Sequence, residues 1–130
     1  MPSEKRALQI VVAVLAVTPV LAGAAGVLMG PALTGAGAPW PNDLDSHFRF
    51  LSAILLAIGL GWWSCVPGIE TKTGRFGLLG ALTFAGGLAR LASLMLVGAP
   101  SAGHLFGLCV ELLLVPPLLL WQRRVAREFR

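Results

Sequence analysis

The stretch FGLLGALTFAGGLARLASLMLV, residues 76–97, carries one charged side chain, Arg90, in a run of otherwise apolar and small residues. Its length matches the roughly 20 residues with which a helix crosses a ~30 Å hydrocarbon core. An unpaired guanidinium at that depth costs at least ~2.5–3.5 kcal/mol on insertion scales. Arg90 therefore asks for a partner and for a position facing other helices rather than lipid.

The rest of the chain has the same character. Hydrophobic residues make up 56% of the 130 residues, charged residues 12%, and the mean hydropathy is +0.81. Those values lie outside the range of ordinary soluble domains. Apolar runs of spanning length also occur at about residues 7–29, 47–66 and 103–121. Polar, Gly- and Pro-containing breaks separate them: GPALTGAGAPWPND, PGIETKTGR and GAPS. The expectation is an all-α integral membrane protein, a four-helix antiparallel bundle forming a single domain over residues 1–130, with short loops.

Lysine and arginine in short loops favour the cytoplasmic side. Lys5 and Arg6 precede the first run, Lys72 and Arg75 lie between the second and third, and Arg123, Arg124, Arg127 and Arg130 follow the fourth. The loops 30–46 and 98–102 contain no basic residue. Both termini are therefore expected in the cytoplasm, with Trp62, Trp63 and Trp121 near the inner interface and Trp40 near the outer one. The pI near 10.1 is explained mainly by this inner basic fringe, which is placed to touch anionic lipid, and needs no nucleic acid. The first run, with LAGAAG near its end, also resembles a secretory signal peptide. It is longer than a typical signal core, and its glycines read equally as a packing face, so it is taken as a span.

Depth supplies a partner for Arg90. At 1.5 Å per residue, Arg90 lies about 12 Å below Gly98 and Glu111 about 13 Å below Ala102. Helices three and four are joined by a tight turn, so the two charges stand level on neighbouring helices. Spacings of three and four put Gly80, Thr83, Gly87 and Arg90 on one face of helix three, and His104, Gly107 and Glu111 on one face of helix four. Helix two has a matching stripe of Asp45, Arg49, Ser52, Leu56 and Gly59. A polar pocket open toward the outer face is expected from Asp45, His47, Arg49, Arg90, His104 and Glu111. Structural readings compete with it: an Arg90–Glu111 staple that fixes helix register, an Arg49–Asp45 pair at i, i+4 that snorkels, and interfacial histidines.

GVLMG, residues 26–30, has the spacing of a close helix contact in lipid, and Gly77, Gly80, Gly86 and Gly87 leave room around Arg90. Pro19 should bend helix one. Pro116 and Pro117 should bend helix four just inward of Glu111, freeing the carbonyls of Leu112 and Leu113. Cys65 and Cys109 are not expected to pair, and no Cys/His cluster suggests a metal or a catalytic nucleophile.

DSHFRF at the start of helix two, GGLARLAS in helix three, the following GAP turn and the lone glutamate of CVELLL in helix four resemble the ordered pattern of a bacterial four-helix membrane family, domain of unknown function 4345, related to the DoxX-like superfamily. The resemblance covers about residues 7–122 and implies a four-helix bundle in the bacterial inner membrane, with Asp45, Arg49, Arg90 and Glu111 as the positions carried over. It supplies no reaction. Some DoxX-like relatives are subunits of quinone-linked sulfur oxidation or of membrane redox complexes, but no cofactor motif or cysteine pair suited to that chemistry is present here. The expected function is to bind an amphipathic ligand such as a lipid or quinone, or to serve as an accessory subunit. The alternatives are a purely structural subunit that docks on a membrane-protein partner or a second copy of itself and, ranked last, a proton-coupled transporter or membrane enzyme using Glu111.

Overall fold

A computed structural model describes residues 2–130. It contains four helices long and apolar enough to cross a membrane: α1 (Pro2–Met29), α2 (Asn42–Cys65), α3 (Thr73–Leu96) and α4 (Ala102–Glu128). α1 is extended by a 3₁₀ turn at Gly30–Thr34, and a second 3₁₀ turn, Ile69–Thr71, precedes α3. α4 has one π turn, Val110–Leu114, between α-helical stretches Ala102–Cys109 and Val115–Glu128.

The helices outrun the apolar stretches that mark them. α1 begins five residues before the apolar run and α4 continues seven beyond Trp121. A helix does not end where hydrophobicity ends, since its backbone bonds are internal and charged flanks can remain helical in water. At the start of α2, Asp43 and Asp45 occupy the first turn, where the helix dipole favours negative charge.

By contacts the chain forms two compact units. The first, Ile10–Val66, is the hairpin of α1 with α2. The two helices run antiparallel: the indole of Trp63 donates to the Ala13 carbonyl at 3.0 Å, while Arg49 near the start of α2 reaches the carbonyls of Val27 and Leu28 near the end of α1. Small residues set the approach. A Cβ on Gly23 would lie 2.5–2.8 Å from Leu56 backbone and Cβ atoms, and Gly26 faces the buried Ser52. Packing rather than apolar burial draws helices together in lipid, so backbone proximity of this kind is the main attractive term.

The second unit combines Met1–Gln9 with Pro67–Arg130. In it α3 and α4 are antiparallel, with Gly80 against Leu119 and Gly87 against Glu111 and Leu112. Its apolar core is formed by Leu8, Ile69, Phe76, Leu79, Val115, Leu118, Val125 and Ala126. Among these sits Gln122, 1% exposed, whose amide donates to the Ile69 carbonyl at 2.9 Å and the Thr73 hydroxyl at 3.0 Å. The tail of α4 is thus tied to the turn before α3. The same end holds ion pairs between elements, Lys5 with Glu70 at 2.8 Å and Arg124 with Glu4 at 3.0 Å.

The outward surface is apolar. Leu28, Met95, Leu96 and Val97 are each at least 79% exposed, and Leu78, Leu113 and Leu120 more than 60%. In no helix is more than 22% of the most apolar stretch buried. Exposed apolar surface on this scale suits a hydrocarbon solvent and not water. The chain is a small multi-pass membrane protein.

Candidate functional site at Arg90

The π turn is where the site begins. Pro116 and Pro117 have no N–H to donate, so the preceding turn of α4 cannot close its usual i→i−4 bonds. Instead the N–H of Val115 bonds the carbonyl of Val110, five residues back. The wider turn carries Glu111. Opposite it on α3 stands Gly87, where a Cβ would lie 2.8 Å from both Glu111 Cβ and Leu112 Cδ2. Only a residue without a side chain lets the widened turn come this close to α3.

That approach brings the charges together. Arg90 Nε donates to Glu111 Oε1 at 3.1 Å and lies 3.1 Å from Oε2 as well. The pair is half-sheltered, with 35% of the Arg90 side chain and 15% of the Glu111 side chain exposed. Glu111 Oε2 is buried and accepts no hydrogen bond from the described residues. On its far side Arg90 Nη1 lies 2.9 Å from His104 Nδ1. Arginine can only donate, so Nδ1 must carry a lone pair and the imidazole proton must sit on Nε2. The remaining guanidinium N–H groups, those of Nη2 included, make no hydrogen bond to the described residues.

Arg90 and His104 border a cleft of about 240 Å³ lined by Arg90, Ser93, Leu94, Pro100, His104 and Leu108. The first three come from α3, Pro100 from the connecting turn, and His104 and Leu108 from the first turns of α4. One wall is polar and donor-rich; the others are apolar. Beside the pair lies Gly107, where a Cβ would make ordinary contacts with Glu111 Oε1 and Arg90 Cζ at 3.8–3.9 Å. Thr83, expected on the same stripe, turns its hydroxyl back to the Leu79 carbonyl at 2.8 Å.

Arg49 and Asp45 lie in the α1–α2 unit and make a different arrangement. Arg49 Nε and Nη2 bond the two oxygens of Asp45 at 2.9 and 3.3 Å. Its Nη1 donates to Val27 O at 2.6 Å and Leu28 O at 3.2 Å. These are carbonyls left without helical partners at the end of α1, and a cation there also meets the negative end of the helix dipole. Gly30, at φ +61°, occupies the left-handed region that lets the chain turn away beneath the pair; a Cβ would lie 2.8 Å from both Arg49 Nη2 and Asp45 Oδ1. Four of Arg49's five donors are thereby engaged. His47 is exposed, two residues from Asp45 and from Arg49 and so about 200° round the helix from each.

Of the six expected site residues, Arg90, Glu111 and His104 are brought into direct contact in one unit, and Asp45 with Arg49 in the other. The π turn, the Arg49 contact with Val27 and Leu28, and Gln122 were not anticipated. The proline pair foretold a disturbance in α4 but not its form, and the Leu118, Gln122, Val125 and Ala126 spacing could have marked the amphipathic tail.

No curated protein and no solved structure matches the chain. A family model does, over residues 7–122, which contain every residue of the Arg90 site and most of both hairpins. The chain belongs to the family described as domain of unknown function (DUF4345).

Proposed function

We propose that this protein is an inner-membrane accessory protein of bacteria, with both termini in the cytoplasm, that holds the headgroup of an amphipathic ligand such as a lipid or quinone at Arg90. The observation that carries the reading is the cleft itself: an arginine with unused donors at one wall and apolar side chains at the others, at the end of the α3–α4 hairpin where the two helices connect. Its volume falls below the ~300–1,000 Å³ of pockets that enclose a whole small molecule. It suits a headgroup whose tail lies along the helices in the bilayer. Arginine's planar fork offers two parallel hydrogen bonds to a carbonyl or acidic oxygen.

The orientation follows from the basic fringe, which in the unit containing Met1–Gln9 gathers the start of α1, the turn before α3 and the end of α4 at one end. Mass spectrometry of the protein released from gentle detergent tests the function. Wild type should retain a specific amphipath, and Arg90→Ala should lose it while still inserting. An empty wild-type protein would reject the reading.

A second reading, a structural subunit, draws on α3: Gly77 and Gly86 face open space with no atom within 4 Å of a Cβ built on them. Such small positions admit a partner helix or a second copy. It predicts an empty bundle that co-purifies with another membrane protein.

A further inference from the structure

Resting on the reading of the Arg90 cleft as a headgroup site, we infer that it selects an uncharged, carbonyl-bearing headgroup over an anionic headgroup on the same tail. The charge of Arg90 is already matched by Glu111 at 3.1 Å. His104 accepts a hydrogen bond from Arg90 through Nδ1 and so adds no charge in this arrangement. The site is therefore neutral before anything binds. A carboxylate or phosphate entering it would bring a net negative charge into a low-dielectric setting, where an unmatched charge is strongly disfavoured. It would also face the carboxylate of Glu111.

The vacant hydrogen-bonding positions can be filled without added charge. Arg90 Nη2 and His104 Nε2–H are donors that want an acceptor, which a carbonyl supplies. Ser93 on the cleft wall can serve either role. Arg49, the other arginine within a span, has most of its donors committed to Asp45 and to the end of α1.

The test uses two probes with the same 12-carbon chain, monolauroylglycerol and laurate, offered to the full-length protein in nanodiscs of fixed lipid composition, with bound probe measured by mass spectrometry. Wild type should prefer the monoacylglycerol by about tenfold or more, since 1.4 kcal/mol corresponds to a factor of ten. Glu111→Gln, which strips Arg90 of its counter-charge, should reverse the order. Equal or stronger binding of laurate by wild type would overturn the charge selection and leave headgroup binding standing. Retention of neither probe would overturn the binding reading itself. The wild-type comparison decides the matter even where E111Q does not insert.

Discussion

Arg90 Nε meets the Glu111 carboxylate at 3.1 Å across the α3–α4 hairpin, and the contact exists because Gly87 admits the π turn that carries Glu111. Three features of the sequence converge on this one distance: a charge in α3, a charge in α4, and a proline pair that widens the helix between them. If the pairing is direct, Arg90→Ala and Glu111→Ala should be non-additive. Coupling between polar groups in membrane helices averages about 0.6 kcal/mol and reaches ~1.7, and a double-mutant cycle from unfolding in mixed micelles should fall in that range. Zero coupling would mean that the two act independently.

The neighbouring glycines of α3 should behave oppositely. A Cβ at Gly87 would sit 2.8 Å from Glu111 and Leu112, whereas one at Gly86 meets nothing within 4 Å. Gly87→Ala should therefore lose ~1–3 kcal/mol through overpacking, while Gly86→Ala should be neutral or gain ~0.4–1 kcal/mol by restricting the unfolded chain. Equal effects at both positions would remove the close approach from the account.

The π turn offers its own test. Replacing Pro116 and Pro117 by alanine restores the missing N–H groups and permits an ordinary α-helical turn. Closing one residue of excess winding rotates Glu111 by about 100° relative to the tail of α4. In that background the Arg90–Glu111 coupling should fall to near zero. Persistence of full coupling would show that the prolines do not hold the turn.

The four spans, their antiparallel neighbours and the level placement of Arg90 with Glu111 were legible in the sequence. Spans are long runs, and depth is a count of residues along a helix of known rise. What escaped was geometry that no local pattern encodes. Arg49 reads as a partner for Asp45 at i, i+4, but its bonds to Val27 and Leu28 depend on how residues 30–41 return the chain. Gln122 reads as the first polar residue after a span; its burial depends on the turn at Ile69–Thr71. His47 was placed by depth alone, although the helical period already set it on a different side from Asp45 and Arg49.

At the charged end, the hydrogen bond from Lys5 holds the Glu70 carboxyl below its ordinary value of 4.5. The folded value lies under the unfolded one, so the pair's contribution is complete above the ordinary value and is lost as pH falls through the lowered one. The pair is partly exposed and contributes at most about 1 kcal/mol. Thermal stability should decline below about pH 4.5, and Glu70→Gln should flatten part of that decline. An identical acid profile in the variant would show that Glu70 carries none of it.

The most direct measurement of the central claim places a photo-crosslinking residue at Leu94 or Leu108, on the cleft wall, and at Leu78, which is 62% exposed on α3. After irradiation in native membranes, positions 94 and 108 should capture one class of amphipath, with capture abolished by Arg90→Ala, while position 78 captures the bulk lipid mixture. The same mixture at all three positions, unchanged by Arg90→Ala, would contradict the existence of a headgroup site at Arg90.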